Sequence, residues 1–180
     1  MIVIYTLKWR KGDDCMFDRE YYFYGKYADI VKRLTTKLND EIGAAFFERN
    51  LDVYEIAPII GWVYQRKATS VRDENLTRIF RDKMIDDRPQ LLFNYRNLML
   101  LEYKDQNAEE RMNIAFQMDD KDDERKPYDE LYNSYVLGGL EILDEKIFEN
   151  ASEPEEYLKN FYEFMQELQV RIYGSEVVLE

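Results

Sequence analysis

Three residues at a recognisable spacing could do hydrolytic chemistry: Asp86 or Asp87, then Glu102 and Lys104 beyond the apolar run Leu98-Met99-Leu100-Leu101. Two carboxylates can hold a Mg²⁺ ion, and a lysine beside them can assist an attacking water. Histidine chemistry is excluded outright. The chain contains no histidine, which eliminates Ser–His and Cys–His nucleophile pairs, His-ligated zinc or iron and imidazole acid–base work. The single cysteine, Cys15, follows Asp13 and Asp14. Neighbouring anions disfavour a thiolate, so a reactive thiol is not expected, and one cysteine allows no internal disulfide.

An acid, an apolar segment and Glu-x-Lys resembles the core of restriction-type nucleases. That resemblance implies a Mg²⁺-dependent nuclease built on Asp87, Glu102 and Lys104, and it requires the apolar segment to be a strand. The local periodicity favours a helix instead: Leu91, Leu92, Tyr95, Leu98, Met99 and Tyr103 step by three and four. The exposed edge of such a helix yields Glu-x-Lys readily. A second oxygen-rich run, Asp119 to Glu124, lacks the glycine and the closing glutamate of a calcium loop, and reads as a solvated linker extending to Lys126. No metal and no cofactor is expected.

A third set suits contact rather than catalysis. Trp62, Tyr64, Arg66 and Lys67, with Arg78 and Arg81 at i and i+3, make a basic and aromatic group of the kind that meets a partner or a phosphate backbone. The net charge of −12 opposes nucleic acid and anionic membranes. Charge is unevenly placed: residues 141 to 180 carry eleven acids against Lys146, Lys159 and Arg171, whereas residues 61 to 100 carry eight basic and five acidic residues. Pairing of the basic segment with the acidic C-terminal segment is the expected use of that asymmetry.

The elements that must position these residues are mostly helical. Length, with 46% apolar and 34% charged residues, fits one domain over residues 1–180. The expected architecture is a mainly α, single-domain bundle of about six or seven helices, with the signals of a short β-hairpin in residues 1–25 and a helical core in 26–180. The hairpin would join Ile2 to Trp9, a turn at Lys11 to Asp14, and Phe17 to Tyr24. One helical stripe runs from Tyr27 towards Ile42-Gly43. Another starts near Asn50 and is interrupted by Pro58. Leu76, Ile79, Phe80 and Met84 read as a short helix, and further helices start at Pro89, after Asn107, and at Ser152-Glu153-Pro154.

The centre of the bundle is Pro127 to Phe148. Tyr128, Leu131, Tyr132, Tyr135, Ile142 and Leu143 share one face, and Val136, Leu140 and Ile147 widen it. Gly138-Gly139 stands out, because each glycine inside a helix costs about 1 kcal/mol relative to alanine. The compensation expected is another helix crossing where a Cβ would clash.

These features favour a non-enzymatic protein-interaction module: a small cytoplasmic subunit or adaptor of a prokaryotic or phage multi-protein assembly, linked to nucleic-acid processing or antiviral defence. It would bind another protein or itself. An acidic inhibitor that mimics DNA ranks second, and the nuclease third. No membrane partner is expected: the N-terminus lacks signal-peptide features, and the longest run free of strongly polar residues, Ile56 to Tyr64, is too short to span a bilayer.

Overall fold

The computed structural model describes residues 16–39 and 43–174. These form a mainly α fold with seven helices and one two-stranded antiparallel sheet: β1 (Tyr21–Tyr24), α1 (Lys26–Thr35), α2 (Asn50–Val63), β2 (Leu76–Ile79), α3 (Arg81–Asp86), α4 (Arg88–Glu102), α5 (Ala108–Phe116), α6 (Asp122–Phe148) and α7 (Pro154–Tyr173). No helix among the described residues is long and apolar enough to cross a membrane.

The apolar face read around Tyr132 to Ile147 is the core of the molecule. In α6, Tyr132, Tyr135, Val136, Leu137, Leu140, Ile142, Leu143 and Ile147 are all buried, along with both glycines of the pair. At a rise of 1.5 Å per residue, this 27-residue helix is about 40 Å long, enough to pass through the whole bundle. Its main neighbour is α2. A Cβ on Gly139 would lie 1.9 Å from the Ala57 carbonyl oxygen, and one on Gly61 would lie 2.1 Å from that of Tyr135. On Gly138 it would lie 1.9 Å from the Arg66 carbonyl oxygen. Backbone therefore packs on backbone, and only glycine fits at these points.

Several elements depart from the sequence reading for identifiable reasons. The central helix starts at Asp122, not Pro127, so most of the expected linker is its first turns. Asp122, Asp123 and Glu124 suit the positive end of the helix dipole, and Arg125 ties those turns to the preceding loop by donating to the Met118 and Asp119 carbonyls. Pro127 in the second turn forgoes only the bond to the carbonyl four residues back. Pro58 likewise sits inside an unbroken α2. Helix α1 stops at Thr35 rather than near Gly43: Thr35 and Thr36 bond back to the Val31 and Lys32 carbonyls, and Thr36 is already extended.

Leu76 and Ile79 satisfied a helical spacing, yet they begin and end β2, which pairs with β1 in the register Tyr21↔Ile79 to Tyr24↔Leu76. Only the segment from Arg81 to Asp86 is helical there. Tertiary pairing overrode a two-residue pattern. The strand expected at the end of the N-terminal hairpin is present as β1, while its proposed first limb and turn lie outside the described residues. Gly25, at φ +56°, turns β1 directly into α1 and takes a conformation that favours glycine.

Candidate functional site

The three residues of the nuclease reading do not converge. Asp87 caps the start of α4 and accepts a hydrogen bond from Arg49 at 2.7 Å. Glu102 is the last residue of the same helix, which puts about 22 Å of helix rise between the two carboxylates. Leu98 to Leu101 is helical, so it cannot bring Glu102 and Lys104 to one side of a sheet. Glu102 instead accepts from Lys67 at 2.8 Å and from the Tyr135 hydroxyl at 2.6 Å. Burial would push its carboxyl up, but these two donors hold it below the ordinary glutamate value. This is a clasp joining the end of α2, α4 and α6. Among the described residues no group of three or more acids, cysteines or histidines could hold a metal ion.

The basic and aromatic set is divided and mostly occupied. Arg66 pairs with Glu145 at 2.7 Å and lies 3.6 Å from Glu141. The Tyr64 hydroxyl donates to Glu167 at 2.9 Å, and its pKa is pushed up to about 12 by burial first and by that carboxylate second. Glu167 also takes Lys146 at 2.6 Å and Arg171 at 3.0 Å, and together these hold its carboxyl down at about 2. The basic segment thus pairs inside the molecule with α6 and α7. Arg78, on β2, reaches Glu20, and Arg81 donates to the Asp18 carbonyl. These two sit near the start of α2, where Asn50 holds β2. Trp62 to Lys67 spans its other end, so no single patch forms.

The acidic runs are also tied down in part. Asp119 pairs with Arg96, Asp122 with Arg19 and Arg125, Glu141 with Lys26, and Asp144 with Arg33. A row of free carboxylates at phosphate spacing is not built from these side chains.

One residue of the set, Trp62, does face a concavity. A groove of about 160 Å³ runs between α2 and α4, walled chiefly by Ile59, Trp62, Phe93, Leu98 and Leu101. Its helices are locked together from below: Asn94, buried, donates to the Glu55 carbonyl at 3.1 Å and accepts from Gln90. While Leu91, Leu92, Tyr95, Leu98 and Met99 turn into the core, Phe93 and Leu101 point out, 62% and 47% exposed. Sequence periodicity missed both, because they fall off the buried stripe. The available signal was an apolar residue at a position that the same period assigns to water. A second outward apolar line lies on α7, at Leu158, Tyr162, Met165 and Ile172, spaced by four, three and seven. Its inward face is Phe164 and Leu168.

Comparison of the chain with protein-family models, with characterised proteins and with solved structures returned no match.

Proposed function

We propose that this protein works by binding another protein, which seats an apolar helix in the groove between α2 and α4. What carries the reading is the pair Phe93 and Leu101, two large side chains exposed along one side of a preformed concavity whose floor, Leu98, is buried. Large apolar side chains clustered outward around a groove mark interaction surfaces more often than scattered single ones do, and a groove between two helices suits anchors at i, i+3 and i+4 of a third. The glycine crossing and the Asn94 and Glu102 clasps hold the groove rigid, so little ordering is required on binding. The separation of Asp87 from Glu102 by the length of α4 supports binding over hydrolysis.

The test is retention of a protein by the tagged chain at physiological salt, with light scattering across a wide concentration range to reveal self-association. Phe93→Asp with Leu101→Asp is expected to abolish whichever association the wild type shows, and Tyr162→Asp with Met165→Asp on α7 to leave it intact. A wild type that stays an isolated monomer and retains no stoichiometric partner would sink the reading. Loss in the α7 variant alone would move the surface to that helix.

A further inference from the structure

The groove between α2 and α4 has chemically unequal ends. The two helices run side by side in the same direction: Arg49, capping the start of α2, reaches Asp87 at the start of α4, and Lys67, beyond the end of α2, reaches Glu102 at the end of α4. Toward those later ends the wall is apolar, with Trp62 and Leu101. In the other direction, one turn before Ile59, stands Glu55. Residues 55, 59 and 62 step by four and three, so Glu55 shares the face of α2 that Ile59 and Trp62 present to the groove. Its main-chain carbonyl accepts the Asn94 amide at 3.1 Å, and Asn94 itself lines the groove, which sets Glu55 at the seam of the two helices.

Glu55 is half-buried, and no hydrogen bond or ion pair among the described residues engages its carboxylate. The charges that act on it are Asp87, Asp52 and Arg49; Arg88, the first residue of α4, is not one of them. Arg49 is already taken. Its Nε and Nη2 donate to Asp52 at 2.9 and 2.6 Å, and its Nη1 donates to Asp87 at 2.7 Å. Three carboxylates therefore share one guanidinium, and the other two hold it. Burial raises the Glu55 carboxyl above the ordinary glutamate value, and Asp87 and Asp52 raise it further against Arg49 alone. A carboxylate partly withdrawn from water without a donor is costly, so a cation is what this end of the groove lacks.

We infer that the partner helix is basic at one end, carrying a lysine or arginine one turn beyond its apolar anchors, so that the cation meets Glu55 while the anchors lie between Ile59, Trp62, Phe93 and Leu101. The inference rests on the protein-binding reading and narrows it to one class of helix. Spacing follows from the groove: four residues of α2, about 6 Å of rise, separate Glu55 from Ile59, and a helix lying along the groove covers that distance in three or four of its own residues. An acidic residue there would face three carboxylates, and an apolar one would bury Glu55 further with no partner. The net charge of −12 acts in the same sense, steering a basic segment toward the chain and an acidic one away.

Selection from a displayed library of stabilised helices about four turns long, with leucine fixed at the anchors and the other positions varied, decides this on the full chain. Helices retained by the wild type and lost on Phe93→Asp with Leu101→Asp are expected to carry lysine or arginine one turn beyond the end anchor. Glu55→Lys should select aspartate or glutamate at that place instead. For one selected helix, Glu55→Gln should weaken binding about fivefold, and replacing the helix's cation by glutamine should do the same in the wild type but change little in Glu55→Gln, as direct pairing requires. Where Glu55→Lys loses its helical circular dichroism, the near-isosteric Glu55→Gln carries the test alone. Groove-dependent helices with no preference for a cation, or with equal affinity for Glu55→Gln, overturn the inference and leave the protein-binding reading standing. A library that yields no helix dependent on Phe93 and Leu101 removes the groove reading itself, and the inference with it.

Discussion

The two ends of the α2–α6 pair are built on opposite principles. Around Gly61, Gly138 and Gly139 the helices meet through the absence of side chains, with carbonyl oxygens occupying the places where Cβ atoms would stand. Around Phe17, Tyr54, Tyr95 and Tyr132 the elements meet through large rings stacked edge to face or tilted, next to a cavity. Close-packed backbone has no rotamers with which to yield, whereas rings beside free space do. The glycine end should therefore be the rigid part of the fold, and the aromatic end the part that can accept change or a ligand.

The sharpest way to break that contrast is Gly139→Ala. Helix propensity alone would favour alanine by about 1 kcal/mol, but its methyl would meet the Ala57 carbonyl oxygen at 1.9 Å. Helix α2 must then move off α6, and the expected net loss is about 3 kcal/mol or more in urea unfolding. A neutral or stabilised variant would show that the crossing is loose. At the other end, Arg125→Met is expected to cost less, about 2 kcal/mol by the same measurement. It strands the Met118 and Asp119 carbonyls and one half-buried carboxylate, Asp129, yet leaves the rings room to resettle.

Acid sharpens the comparison, because the lowered carboxyls gather at the glycine end, where Asp144 alone is raised, by burial. At the glycine end, Glu102 and Glu141 sit below the usual glutamate value: burial opposes this, but hydrogen bonds from Lys67 and Tyr135, and from Lys26 and Tyr27, outweigh it. Glu167 is lowered to about 2 by Lys146 foremost. Groups depressed on folding add stability above their unfolded pKa and lose it as pH falls through the folded value, here from about 4.5 towards 2. Asp129, at the aromatic end, is raised by burial despite Arg125. Its contribution has the reverse sign, present at low pH and lost as pH rises through the folded value. Hydrogen exchange at pH 3 against pH 6 should therefore show α7 and the end of α2 opening first, before residues 125 to 133. Earlier opening of 125 to 133 would reverse the assignment.

The two ends were also unequally legible in the sequence. Gly138-Gly139 announced a close crossing, because glycines inside so apolar a helix need a reason, and Gly61 three residues after Pro58 marked the other side of it. Local pattern carried that information. The aromatic layer draws Phe17 from a loop, Tyr54 from α2, Tyr95 from α4 and Tyr132 from α6, and no spacing along the chain reveals that four such residues meet. The same limit hid β2, whose partner lies more than fifty residues away, and the groove residues Phe93 and Leu101, which only the docking of α2 on α4 sets beside Ile59 and Trp62. Glu-x-Lys at Glu102 resembled a strand motif for the converse reason. A motif defined along a strand was carried by a helix, where its acid met Lys67 instead of Lys104.

The smallest change tests the aromatic end most directly. Tyr132→Phe removes one oxygen from a buried ring whose hydroxyl has no partner among the described residues. Burial holds that hydroxyl neutral by raising its pKa far above the ordinary tyrosine value, so no charge is lost. Deleting a buried, unsatisfied hydroxyl while keeping the ring should leave stability within about 0.5 kcal/mol of wild type, or raise it by about 1 kcal/mol. A loss above about 1 kcal/mol in urea unfolding would mean that the hydroxyl is already bonded. The aromatic end would then be as finely fitted as the glycine crossing, and the contrast between a rigid end and a yielding one would fail.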